Sequence, residues 1–187
     1  MSSNLIFINF HGFMGDADNK NCRALNNIFP QATVLSPQLD YLKESPNALI
    51  LKHSSCVTEQ QAKGMTVIPV GQSLGGWLAE QLSRRLDLPC LLTNPCLDPH
   101  LCEVITSSPM PKSFLEEYEA LSTSLPNSNA FTLCTKTDEV LGEENFQRCA
   151  LLGGWLKEVH GRHSGIENLT DELSCGINAI LATPKKI

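Results

Sequence analysis

The sequence lacks long hydrophobic runs, basic clusters and paired cysteines, and each absence excludes a class of protein. No apolar stretch reaches the roughly 18 residues that a membrane-spanning helix needs, so we expect no membrane association. The N-terminus has no basic segment and no small-residue cleavage site, so we predict a cytoplasmic protein without a signal peptide. Aspartate and glutamate (20) outnumber lysine and arginine (14), which gives a net charge of −6. Without a run of lysine and arginine, nucleic-acid binding is not expected.

Cysteine is abundant, but its spacing excludes the usual cysteine-based sites. None of the eight cysteines forms a C-x-x-C pair, so the sequence indicates neither a zinc ribbon nor a thioredoxin-like motif. Several lie inside apolar runs, such as Cys90 and Cys134. We therefore expect reduced thiols that pack as small hydrophobic side chains.

The order of apolar and amphipathic segments predicts the fold class. The chain has 187 residues, of which 42% are hydrophobic, enough for a single domain spanning residues 1–187. Strand-like and helix-like segments alternate, so we predict an α/β protein: a three-layer α/β/α sandwich with about six mostly parallel strands. The predicted strands are 5–9, 33–36, 66–70, 89–93, 130–134 and 155–159; the predicted helices are 16–29, 46–63, 74–86, 143–152 and 168–181.

One segment, at about residues 97–129, interrupts this alternation. Proline, serine and charged residues break its periodicity, and only F-L-E-E-Y-E-A-L is typical of a helix. The segment is too long for an ordinary connection, and long connections in compact domains often cover or line a binding site. We predict a short lid-like insert.

The sequence G-Q-S-L-G at residues 71–75 lies where a predicted strand turns into a predicted helix. A serine in such a turn is exposed to attack a substrate, and Gly71 and Gly75 allow strand, turn and helix to approach closely. Serine and glycine are also common in ordinary turns, so the motif alone does not decide. We interpret Ser73 as a nucleophile because an acid and a histidine follow it in the required order.

The acid and the base are expected at later strand ends, because the carboxyl ends of parallel strands meet at one edge of a sheet. Asp138 follows the fifth predicted strand and His163 follows the sixth. With Ser73 they have the order Ser, Asp, His of a nucleophile, its orienting acid and its general base. His160 is the alternative base, and Glu139 is the alternative acid.

Four further residues after strand ends have predicted roles. Asp98 follows the fourth predicted strand and is a third candidate for the acid. The N–H of Leu74, next to the nucleophile, is one predicted oxyanion donor, and that of Phe13 in the loop after the first strand is the second. His11 precedes Gly12 in that loop, and we assign it a loop-orienting role.

Motifs distributed along the chain resemble the α/β-hydrolase superfamily, and more narrowly the small bacterial YqiA/YcfP-like esterases. They are F-I-N-F-H-G-F near the start, L-S-P-Q-L at 35–39, V-G-Q-S-L-G-G-W-L-A at 70–79, L-T-N-P at 92–95, T-D-E-V-L at 137–141 and H-S-G-I-E-N at 163–168. The resemblance implies a reduced hydrolase sheet without the first two strands, with Ser73, Asp138 and His163 in the triad positions. It also implies hydrolysis of carboxylic esters. Gly161-Arg162 departs from the segment that usually precedes the histidine, and Arg162 is either a solvated residue or a contact for an acidic group.

These observations predict a serine esterase that uses an acyl-enzyme intermediate and needs no metal or organic cofactor. The short insert favours short acyl groups in a small-molecule ester or thioester. There are two alternatives. One is a thioesterase or peptidase-like hydrolase that uses the same site, and the other is a binding or regulatory protein without turnover.

Overall fold

The computed structural model describes residues 4–183, so the predicted domain bounds of 1–187 extend beyond the described residues at both ends. Six strands form one sheet in the order β2-β1-β3-β4-β5-β6, and every neighbouring pair is parallel. This confirms the predicted mostly parallel sheet. The strands are β1 (Leu5–Phe10), β2 (Thr33–Leu35), β3 (Thr66–Gln72), β4 (Cys90–Thr93), β5 (Ala130–Cys134) and β6 (Trp155–Glu158).

Helices cover both faces of the sheet. The helices are α1 (Lys20–Ile28), α2 (Pro46–Ala62), α3 (Leu74–Leu86), α4 (Glu103–Thr106), α5 (Lys112–Leu121), α6 (Glu143–Leu151) and α7 (Leu169–Ala182). Helices α1 and α7 pack on one face, and α2, α3, α5 and α6 contribute to the core on the other. The chain therefore has the three layers that its alternating pattern predicts.

Strand β1 shows why this sheet needs two covering layers. Ile6, Ile8 and Phe10 face the core beneath α2 and α3, while Leu5 and Phe7 face the core beneath α1 and α7. Successive side chains of a strand point to opposite faces, so a strand buried on both sides is apolar throughout. The continuous apolar run is thus a property of the central position of β1.

The ends of some elements differ from the prediction. Helix α1 begins at Lys20 rather than at residue 16, because the Asn19 side chain accepts a hydrogen bond from the Cys22 N–H at 3.0 Å and caps the helix there. The 97–129 segment contains a 3₁₀ turn at Pro99–Leu101 and helix α4 besides the predicted helix, now α5. A hairpin of β7 (Gly161–Arg162) and β8 (Gly165–Ile166) was not predicted, since two-residue strands leave no periodic pattern.

Among residues 4–183, no helix combines the length and the apolar character that crossing a bilayer requires.

The strand order reverses direction between β1 and β3. From β1 the chain moves outward to β2, and from β3 it moves to the other side through β4, β5 and β6. At such a switch point the loops after the two neighbouring strands diverge and leave a crevice, where open α/β sheets bind ligands. The loop after β1 and the G-Q-S-L-G turn after β3 therefore lie side by side at this crevice.

Candidate active site

Ser73 lies in a strained turn between β3 and α3. Its backbone has φ 54° and ψ −122°, a conformation that side-chain-bearing residues rarely adopt. The Ser73 N–H donates to the Thr93 carbonyl oxygen at 3.1 Å, and its own carbonyl oxygen accepts from the Cys96 N–H at 3.0 Å. Backbone strain of this kind persists when surrounding contacts fix it, and it is concentrated at functional sites.

Gly71 and Gly75 are required by the close approach of three backbone segments. A Cβ atom on Gly71 would lie 2.1 Å from the Gly75 carbonyl oxygen, and one on Gly75 would lie 2.2 Å from that of Phe10. Both distances are far below a van der Waals contact, and the obstructing atoms are backbone. The two glycines thus allow β1, β3 and α3 to meet at Ser73.

Asp138 and His163, which follow β5 and β6, are in direct contact. The His163 Nδ1 atom lies 2.8 Å from the Asp138 Oδ2 atom, and both residues are buried. A carboxylate accepts hydrogen bonds, so it favours the tautomer in which Nδ1 carries the proton. The Nε2 atom then has a free lone pair and can act as a base.

The surroundings of Asp138 keep its carboxyl group ionised. Burial raises its pKa, but hydrogen bonds from the His163 ring and from the N–H groups of Leu141 and Val140 outweigh that effect, so the pKa is lowered. The two N–H groups each lie 2.9 Å from the Asp138 Oδ1 atom. Asp138 is therefore a carboxylate at neutral pH with all its hydrogen-bonding capacity directed at this loop and at His163.

The main chain of His163 is fixed by three side chains that the sequence did not single out for this role. Glu139 accepts from the His163 N–H at 3.0 Å, while the amides of Asn94 and Gln72 donate to its carbonyl oxygen at 3.0 and 3.3 Å. Asn94 also accepts from the Thr135 N–H at 2.8 Å, which links the ends of β4 and β5 to the histidine loop. Hydrogen bonds between segments so far apart in sequence leave no local motif; the only signal is the position of Asn94 and Gln72 at strand ends.

The loop after β1 passes directly beside Ser73. A Cβ atom on Gly12 would lie 3.0 Å from the Ser73 Cβ atom and 3.5 Å from its hydroxyl oxygen. Leu74 is the first residue of α3, so its N–H has no acceptor within the helix. The structure thus brings the predicted oxyanion loop, including Phe13, next to the start of α3.

His11 fixes the orientation of the Gly12–Phe13 peptide. Its Nε2 atom accepts from the Leu39 N–H at 2.9 Å, so its Nδ1 atom carries the proton and donates to the Gly12 carbonyl oxygen at 2.8 Å. The Gly15 N–H donates to the same oxygen at 3.0 Å. In a trans peptide the N–H points opposite to the C=O, so the Phe13 N–H is directed away from His11 and Gly15.

The alternative acid and base candidates have other surroundings. His160 is exposed, and the Asp98 carboxylate is paired with the Arg148 guanidinium at 2.7 Å. Arg162 is exposed on β7. Of the candidates, only the Asp138 carboxylate is in contact with a histidine ring.

No hydrogen bond joins the Ser73 hydroxyl to the His163 ring, although both are described. They belong to neighbouring loops, because Gln72, which precedes the serine, bonds to the His163 carbonyl oxygen. Catalytic hydrogen bonds of this kind often tighten only when a substrate is bound.

Comparison with protein families matches residues 5–152 to the model of a family described as Uncharacterised protein family (UPF0227). A search of curated protein sequences gives no match.

Solved structures with a similar fold are α/β hydrolases. Est1E from Butyrivibrio proteoclasticus, with ferulic acid bound, has a TM-score of 0.75 at 13% identity, covering 98% of this chain and 92% of that one. Alpha/beta hydrolase domain-containing protein 10 from mouse has a TM-score of 0.66 at 15% identity, covering 94% and 89%. The RedJ thioesterase of the prodiginine pathway in Streptomyces coelicolor has a TM-score of 0.60 at 14% identity, covering 96% and 91%. The chain has the α/β-hydrolase fold.

Proposed function

Since the chain belongs to the UPF0227 family and has the α/β-hydrolase fold, we propose that it is a serine hydrolase that cleaves carboxylic esters of short acyl groups. The observation that carries the proposal is the buried contact of 2.8 Å between Asp138 and His163, at the sheet edge where Ser73 occupies its strained turn. A serine hydroxyl is a weak nucleophile until a base removes its proton, and this edge supplies an oriented base.

The first half of the reaction uses these groups in sequence. The His163 Nε2 atom accepts the Ser73 hydroxyl proton as the serine oxygen attacks the ester carbonyl carbon. Asp138 is ionised, because its hydrogen bonds lower its pKa despite burial, and it stabilises the imidazolium that forms. His163 then returns the proton to the leaving oxygen as the ester C–O bond breaks, which leaves an acyl group on Ser73.

The negative charge on the carbonyl oxygen is assigned to the N–H groups of Leu74 and Phe13. Leu74 opens α3, where the N–H groups of the first turn and the helix dipole favour an anion. His11 and Gly15 direct the neighbouring carbonyl of Gly12 away from this side. A donor with a fixed orientation stabilises the oxyanion without reorganisation during the reaction.

Water, activated by the same base, then releases the acid. The insert supports the preference for short acyl groups, because the buried side chains of Ile105, Met110 and Tyr118 anchor it in the core. The Tyr118 ring packs edge-on against the Trp77 ring, with the ring centroids 4.7 Å apart. An insert held down in this way offers little room for a long chain.

Covalent labelling with a fluorophosphonate probe tests the proposal. Wild-type protein should label and hydrolyse p-nitrophenyl butyrate, whereas Ser73→Ala should do neither. Ser55→Ala, on the exposed side of α2, is the matched control and should behave as wild type. Wild-type protein that does not label would favour a binding protein without turnover.

The base has its own test. His163→Ala should abolish turnover and His160→Ala should retain it, because only the His163 ring contacts Asp138. The opposite result would assign the base to His160. A butyryl thioester offered beside the oxygen ester distinguishes an esterase from a thioesterase.

A further inference from the structure

A cavity of about 330 Å³ lies beside His163, between the start of α1 and the hairpin β7–β8. Its wall includes His163 and Ser164, the strand-end residues Gln72 and Thr93, and residues of the first turn of α1. Pockets for small ligands have volumes of roughly 300–1,000 Å³, so this cavity suits a small group.

The cavity lies on the histidine side of the nucleophile. His163 and Gln72 line it, whereas Ser73, Leu74 and Phe13 do not. In acyl transfer the base returns the proton to the leaving group, so the leaving group departs next to the histidine. A cavity that shares a wall with the base, and not with the oxyanion donors, is placed for the leaving alcohol rather than for the acyl chain.

Most of the residues that line the cavity have polar side chains. The Asn21 amide donates to the Thr93 hydroxyl at 2.9 Å, and both residues are buried. The Lys20 ammonium donates to the Ser164 carbonyl oxygen at 3.0 Å, next to His163. Hydroxyl groups placed here could form hydrogen bonds with these polar side chains, whereas an apolar alcohol would cover them and offer none.

The charged groups of the wall balance one another. Two cations, Lys20 and Arg23, accompany two carboxylates, Asp16 and Asp18, and the Arg23–Asp18 pair is 3.0 Å apart. The chain as a whole carries a net charge of −6, which does not favour an anionic ligand. A wall whose charges balance, and which combines several hydrogen-bonding side chains with the apolar Ile166 and Leu169, therefore suits a small uncharged group that has both hydroxyls and a carbon skeleton.

We propose that the cavity is the leaving-group site and that it accepts a small uncharged polyol, so that the substrates are short-chain esters of polyols such as glycerol. This inference rests on the proposed function. As the bond between the Ser73 oxygen and the acyl carbon forms, the ester bond to the polyol oxygen breaks. The Ser73 proton passes through the His163 Nε2 atom to that oxygen, and water later releases the acid, so one ester and one water give one acid and one polyol.

Two esters with the same acyl group and the same three-carbon skeleton test the proposal. Glyceryl 1-butyrate carries two hydroxyls that propyl butyrate lacks. At about 1 kcal/mol for each hydrogen bond, kcat/KM should be at least about tenfold higher for the glyceryl ester. Equal values, or a preference for the propyl ester, would overturn the polyol site. If neither ester is cleaved while Ser73 still labels with the fluorophosphonate, the polyol site is also wrong; if Ser73 does not label, the proposed function itself fails.

Variants of the cavity wall assign the preference to this site. Asn21→Leu should reduce the ratio of kcat/KM between the two esters about fivefold, the equivalent of one hydrogen bond, and Asn26→Leu, which replaces an exposed residue of α1 outside the cavity, should leave it unchanged. Should Asn21→Leu fail to fold, Lys20→Met replaces an exposed residue, with Lys63→Met, at the exposed C-cap of α2, as its control. A wall variant that folds and keeps the wild-type ratio would overturn the assignment. The ratio is the decisive readout, because a general displacement of His163 would slow both esters alike.

Discussion

Replacing Asn94 by aspartate tests whether a buried amide keeps His163, the proposed general base, in position. The Asn94 amide donates to the carbonyl oxygens of His163 at 3.0 Å and of Arg162 at 3.2 Å, and the residue is completely buried. Aspartate keeps the acceptor for the Thr135 N–H, and it tolerates the left-handed backbone at φ 42°. It removes only the donor, and it directs a carboxylate at two carbonyl oxygens.

The size of the effect follows from those two bonds. The Arg162 carbonyl oxygen loses this donor, and the His163 carbonyl oxygen keeps only the Gln72 amide at 3.3 Å. At about 1–3 kcal/mol for each lost bond, the free energy of unfolding should fall by about 2–6 kcal/mol. A displacement of a catalytic group by about 1 Å reduces the rate about 100-fold. We expect kcat for p-nitrophenyl butyrate at pH 8 to fall between about 10-fold and 100-fold in the folded protein, with a smaller change in KM, since the cavity wall is otherwise intact.

Asn127→Asp is the matched control for this experiment. Asn127 is also buried, and its amide donates to Glu80 at 3.1 Å and to Ser83 at 3.2 Å. It precedes β5 and so lies at the opposite edge of the sheet from Ser73. Urea unfolding should show a comparable loss of stability in both variants, while kcat per folded molecule falls only for Asn94→Asp. An Asn94→Asp protein with wild-type kcat would refute the reasoning.

Three further variants probe the turn, the oxyanion loop and the core. Gly75→Ala should not fold stably, because the new Cβ atom would lie 2.2 Å from a backbone oxygen, whereas Gly165→Ala, with only the Lys20 side chain nearby, should melt close to wild type in a thermal scan. His11→Phe should lower kcat by up to about 100-fold in steady-state assays with little change in KM, because the Gly12 carbonyl oxygen keeps only one of the two donors that orient the Phe13 N–H; an unchanged kcat would contradict that role. For His53, burial lowers the pKa from 6.5 to about 4, so the unfolded chain binds a proton in this range that the folded protein does not. Wild-type stability should therefore rise with pH from about 4 to 6.5, and urea unfolding at pH 4.5 and 7 should show a smaller difference in His53→Phe.

The sequence predicted those features that local patterns determine. Helix α3 spans residues 74–86 as predicted, because a glycine-rich turn sets its start and its apolar positions recur at helical spacing. The inner strands β3, β4 and β5 could be located because burial on both faces makes them largely apolar, whereas the edge strands β2 and β6 are only partly buried. Within the 97–129 segment the 3₁₀ turn and the four-residue helix α4 were missed, since elements of three or four residues are too short to establish a period.

The supports of the candidate site could not be predicted in the same way. Asn94 and Gln72 reach His163 across 69 and 91 residues of sequence, and neither contact is implied by the residues around it. The sheet order brings these strand ends together, so their roles follow only once the topology is known. An asparagine before a proline, or the residue before a candidate nucleophile, has too many structural explanations to be assigned from sequence alone.

The pair Asp138 and Glu139 shows how topology resolves an ambiguity that the sequence contains. Both are acidic, both follow β5, and the sequence treats them as competitors for one role. In the structure the Asp138 carboxylate contacts the His163 ring and the Glu139 carboxylate accepts from the His163 N–H, so they hold two parts of the same residue. The N–H of His163 also lowers the pKa of Glu139, as expected for an acceptor that stays ionised. Adjacent residues point in different directions from a turn, and two neighbouring carboxylates can therefore fix both the ring and the backbone of the residue proposed as the base.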